Sequence, residues 1–160
     1  TENGGHNAHI DLRAPSSEGF FVRVEEDMSS DGPHKIETIG YIALEPGVYN
    51  IGGKKLVAGT AKTNHNWKKI NFSSVFQATP VIVANIMTEV GLHNAHIDIK
   101  ESSKNGLAVR VEEDMSSDGP HLVETIGYIA MEEGTVIENG TAFSAGKAQA
   151  DHNWKKVILP

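Results

Sequence analysis

The chain has 160 residues and is 39% apolar, enough for one medium core or two small ones and well above a disordered composition. Cysteine is absent, which excludes a disulfide framework and any thiolate metal site. Net charge is −7 with no Lys/Arg cluster longer than a pair, and no apolar run approaches the ~20 residues of a membrane-spanning helix, so neither nucleic-acid binding nor membrane insertion is expected.

The predicted elements are strands and sharp turns. Val81–Ile86 (VIVANI) is nearly continuous apolar, the pattern of a strand buried on both faces. His96–Lys100 alternates apolar and polar with a period of two, and so does Leu107–Glu112. The cluster Ser102-Ser103-Lys104-Asn105-Gly106 marks a turn between them. Further turns fall at Ser116–Pro120 and Glu138–Gly140, on either side of a strand at Thr125–Met131 whose Gly127 marks a bulge or a close approach. No helical period is present. Short strands at this spacing predict an all-β fold, an antiparallel β-sandwich of about six strands per unit.

Shifted by 87 residues, positions 1–73 align without a gap on 88–160, with 42 identities. The longest identical run is Val22–His34 against Val109–His121; Glu37–Ala43 and His65–Lys69 also recur unchanged. The chain therefore holds two pseudo-repeated units. The segment Ser74–Met87 (SVFQATPVIVANIM) occurs once. Hence 48–134 is expected to form one complete sandwich. Residues 1–47 with 135–160 make a second, incomplete unit, closed in cis or by a neighbouring chain, or the chain is a slice of a longer array. The open edge invites self-association.

The central unit resembles the H-type lectin family, a six-stranded antiparallel β-sandwich. The matching residues are Trp67-Lys68-Lys69-Ile70-Asn71-Phe72, Phe76, Thr79–Val83, Asn105–Val109 and Ile126–Ala130. The resemblance covers nearly the whole chain, though mainly at core and turn positions. It implies carbohydrate binding, often of N-acetylgalactosamine, and oligomers with sites between subunits. That family's loop after the fifth strand tends to carry aromatics and histidines, whereas here it is Glu112–His121, so the fold carries over and the family's sugar contacts do not.

The acidic loop is the best candidate for chemistry, and it occurs twice. Asp27, Ser29 and Asp31, and equally Asp114, Ser116 and Asp118, place oxygens at alternate positions of a tight turn, which suits calcium. The EF-hand pattern then fails, since position 12 is Thr38. A solvated acidic turn uses the same residues. His34 and His121 close the loops and, with Glu26 and Glu113, are the candidate carbohydrate contacts or loop-stabilising groups. Trp67 and Trp154 stand at strand starts, where a tryptophan more often caps the core of a small sandwich than stacks on a sugar, so both are expected in the core. No catalytic motif appears: Glu25 and Glu26 are adjacent on a strand and face opposite sides, so they make no glycosidase pair. The expected function is a non-enzymatic, lectin-like adhesion module that binds glycans outside the cell or at its surface. The alternative is a structural subunit that assembles into a filament or array by strand exchange between chains.

Overall fold

A computed structural model describes residues 8–26, 35–90, 94–113, 119–151, 153 and 155–159. Eleven strands are described: β1 (Ala8–Arg13), β2 (Phe21–Glu26), β3 (Gly47–Ile51), β4 (Lys54–Thr63), β5 (Lys68–Asn71), β6 (Val81–Ile86), β7 (Ala95–Ser103), β8 (Gly106–Glu113), β9 (Glu124–Met131), β10 (Gly134–Glu138) and β11 (Thr141–Ala145). All pairings are antiparallel, and there is no helix among the described residues. The fold is an all-β sandwich, as its pattern predicts.

The sandwich is built from the middle of the chain. One sheet runs β3-β4-β9-β6 and the other β5-β8-β7. Between them lies a core to which β4 gives Val57, β9 gives Ile126 and Ala130, β5 gives Ile70, and β8 gives Leu107, Val109 and Val111. The period-two pattern of β8 explains this choice: alternate residues face the opposite sheet. Phe72 and Phe76 close one side with their rings edge to face, centroids 5.2 Å apart. On the outer face of the four-stranded sheet, Leu56, Ala58 and Met131 are covered by Phe143 and Ala145 of the β10–β11 hairpin.

β6 departs from expectation. Its apolar run predicts burial on both faces, yet among the described residues β6 pairs only with β9, and Val83 is 54% exposed. Ile82 and Ile86 alone turn towards the core.

The two ends of the chain form separate hairpins. β1–β2 has the same register as β7–β8, shifted by 87: Ala8 faces Glu26 as Ala95 faces Glu113, and Arg13 faces Phe21 as Lys100 faces Ala108. β10 and β11 are likewise the counterparts of β3 and the first half of β4. Glu37–Ala43 is identical to Glu124–Ala130 of β9 but is not a strand. β9 is held between β4 and β6, whereas among the described residues no strand flanks residues 37–44. Sequence identity alone does not make this segment a strand.

Two glycines mark close approaches. A Cβ on Gly127 would meet the Met87 side chain, which accounts for the glycine in an otherwise apolar strand. Gly106 opens β8 at φ +157°, and a Cβ there would meet the main-chain carbonyl of Ile70 on β5. Met87 can rotate away; a strand carbonyl cannot. Gly106→Ala is therefore expected to lower the stability of the sandwich by about 2 kcal/mol or more. Gly127→Ala should cost less, and paired denaturant titrations would check the ranking.

Candidate functional site

At one end of the sandwich β6 stops, β7 and β9 begin, and the β1–β2 hairpin leans across. A cleft of about 240 Å³ lies there, lined among others by Asp11, Arg23, Glu25, Glu89, Asn94 and Glu124. The hairpin is pinned by charge. Arg23 reaches Asp11 at 3.0 Å across the hairpin and Glu89 at 2.8 Å on the sandwich, and Arg13 meets the other Glu89 oxygen at 3.4 Å. The Asn94 amide donates to the main-chain oxygen of Glu26 at 2.7 Å. One arginine thus serves several carboxylates. Glu25 Oε2 is shut off from solvent, with the Arg23 guanidinium against it. A hydrogen bond shared with the Asp11 carboxyl, then burial, then the charges of Asp11 and Glu89, push Glu25 up to about 7 against the pull of Arg23.

Behind the cleft, His121 is 5% exposed and sits between two buried carboxylates. Its Nδ1 lies 2.8 Å from Glu113 and its Nε2 3.2 Å from Glu124. Glu124 also accepts from the Val90 main-chain N–H at 2.6 Å and from the Thr88 hydroxyl, which in turn accepts from the Thr125 N–H at 2.8 Å. The His65 ring meets the His121 carbonyl at 3.3 Å. This network ties the start of β9 to the end of β8 and to the segment after β6.

Of the candidate sugar contacts, Glu113 and His121 come together in that network, with their polar atoms engaged on each other. Glu26 is half-buried on β2 and linked to the sandwich through its main chain. His34 and the candidate calcium ligands Asp27, Ser29, Asp31, Asp114, Ser116 and Asp118 lie outside the described residues. Among the described residues no group of three or more His, Asp or Glu is placed to hold a metal ion. Trp67 does not cap the core: it is 38% exposed, with Lys100 Nζ 4.0 Å and Arg110 4.9 Å from its ring centre. The Asp11–Arg23–Glu89 grouping escapes sequence reasoning because Glu89 comes from 66 residues beyond Arg23. The usable signal was the repeated Arg-x-Glu on a strand facing an Asp: Arg110 pairs with Asp98 at 3.0 Å and Glu112 at 2.9 Å, as Arg23 does with Asp11 and Glu25.

Fold and site together define a repeat-built β-sandwich with a carboxylate-rich cleft at one end. Comparison with known proteins finds a likeness to Halomucin of Haloquadratum walsbyi, 32% identical over 126 residues, 76% of this chain. The chain spans about 1% of the length of that protein. No family profile matches the chain, and no solved structure matches it.

The raised Glu25 gives the hairpin a pH dependence. An acid held above its ordinary value of 4.5 favours the folded state in its protonated form, so its contribution is full below about 4.5 and is lost as pH rises through about 7. Amide-exchange protection of β1–β2, corrected for intrinsic rates, is expected to be higher at the acid side of that window than above it. Glu25→Gln should flatten the profile.

Proposed function

We propose that this chain is a non-catalytic structural module of an extracellular surface protein, which joins to other copies through its sheet edges. One observation carries the reading. Residues buried in the complete sandwich have exposed counterparts in the flanking repeats: Phe72 is 2% exposed and Leu159 is 76%, Ile70 is 9% and Val157 is 62%. Exposed apolar surface of this kind marks an interaction site. The likeness to part of a very long protein whose name marks it as a mucin supports a place outside the cell. Light scattering on the purified chain is expected to show a mass that climbs with concentration, and electron microscopy to show extended particles. A strict monomer at all concentrations counts against the module's joining role.

A second reading is carbohydrate binding. The resemblance to the H-type lectins supports it, and so does a cleft whose Glu89, Asn94 and Asp11 side chains offer partners for sugar hydroxyls. The residues engaged with each other, Glu113 and His121, add less than the cleft does. A glycan array probed with millimolar calcium and again with chelator tests it. A hit lost on chelation supports the calcium loops as well as the lectin; a hit that persists supports the lectin without calcium. Silence in both leaves the structural module.

A further inference from the structure

In the complete sandwich β5 adds to the edge of β8 in a fixed register: Lys68 faces Val109, Lys69 faces Ala108, Ile70 faces Leu107 and Asn71 faces Gly106. Each of those residues has a counterpart 87 positions away. Lys155, Lys156, Val157 and Ile158 stand for β5, and Val22, Phe21, Phe20 and Gly19 stand for the β8 edge. The receiving edge is already built. β1–β2 forms a two-stranded sheet, so β2 has β1 as its only strand partner among the described residues. Phe21 is 66% exposed, while its counterpart Ala108 is buried.

The turn before β2 is set for a docked strand as well. Ser103 Oγ donates to the Gly106 carbonyl at 3.3 Å and accepts from the Asn105 N–H at 3.2 Å; Ser16 Oγ makes the same pair of bonds with Gly19 at 3.1 Å and Glu18 at 3.2 Å. Gly19 has φ +152°, against +157° at Gly106. At Gly106 that conformation makes room for the carbonyl of Ile70, whereas at Gly19 none of the described residues fills the same room. In the complete unit Asn105 O receives the Phe72 N–H at 2.9 Å; its counterpart Glu18 O receives no backbone N–H among the described residues.

The matching strand lies elsewhere in the molecule. Val157, Ile158 and Leu159 are unpaired as a strand and largely exposed. The hairpin that precedes them is fixed at the other end of the sandwich, where Lys54 donates to Glu133 O and Lys147 to Thr79 O. The β1–β2 hairpin is fixed at the Glu89 and Asn94 end. β9 joins the two ends with eight residues, roughly 24 Å of strand.

We propose that residues 155–158 of one copy add as a strand to the β2 edge of a second copy, in the register that β5 uses on β8. The inference rests on the structural-module reading and names its partner, a second copy of this chain. The contact is head to tail: each copy gives residues 155–158 to one neighbour and takes another's on its β1–β2 hairpin, so the assembly is open-ended.

The chain has no cysteine, so engineered cysteines report one contact at a time. Lys155→Cys in one copy is mixed with Val22→Cys in another, and Lys156→Cys with Phe21→Cys. Neighbouring pairs on an antiparallel ladder alternate in spacing, so one of the two combinations has the closer Cβ atoms. The expected result is a disulfide-linked heterodimer from at least one combination, none from Lys155→Cys with Val24→Cys, and loss of the link when Val157→Asp is added. Val157 is exposed in the single chain, so Val157→Asp should leave its melting unchanged. Linkage confined to single chains that carry both cysteines shows docking in cis and overturns the proposal. So does concentration-dependent assembly with no cross-link, an outcome that spares the structural-module reading. A strict monomer that does not cross-link overturns both.

Discussion

A strand is stable only when its main-chain donors and acceptors find partners, and for β9 those partners are β4 on one side and β6 on the other. Within residues 1–160 the β6 segment occurs once, and it lies beside β9. It brings Phe76, Ile82 and Ile86 to the core as well as a hydrogen-bonding edge. With it, Glu124–Met131 becomes the best-buried strand of its sheet. The identical heptapeptide at 37–43 has no strand beside it among the described residues and is not itself a strand. Local propensity is equal in the two copies, so the difference is tertiary.

The same comparison separates what each hairpin carries by itself from what the sandwich gives it. β1–β2 keeps the register, the serine-capped turn and the Asp–Arg–Glu grouping of β7–β8. These are local properties, and both copies have them. What changes is the partner of the arginine. Arg110 lies over Trp67, held by the strand that docks beside β8, whereas Arg23 reaches across to Glu89. The carboxylate-rich cleft is thus a consequence of the first hairpin resting on the second unit, and the raised Glu25 follows from its hydrogen bond with Asp11 and its burial there, with the charges of Asp11 and Glu89 adding to them.

Much of this was legible in the sequence. Alternation at 96–100 and 107–112, the Asn-Gly turn at 105–106 and the 87-residue offset place β7, β8 and the repeat without any coordinates. β6 was misjudged because an apolar run has the same look in an edge strand that turns two residues inward as in a strand buried twice; only the strand order tells them apart. Trp67 was misjudged for a related reason. Its position at a strand start was visible, but the two cations that hold it outside the core come from β7 and β8. His121 was picked out by its place at the end of an acidic loop; its burial depends on Glu124, three residues on, and on Glu113 across the loop.

An exposed strand edge is a hazard unless its pairing is limited, and the chain limits it by charge. The docking strand begins with Lys155 and Lys156, as β5 begins with Lys68 and Lys69, while the receiving hairpin carries Asp11, Glu25 and Glu26. Lysines on the incoming edge repel a like edge, which disfavours pairing of two identical tails. A strand of four residues buries little area, so the contact is reversible rather than fibrous in the manner of a zipper. The exposed Val157 and Ile158 that follow those lysines then act as a register key. A slip of one residue turns Val157 away from the face it would share with Phe20 and leaves the glycine cavity at position 19 unfilled.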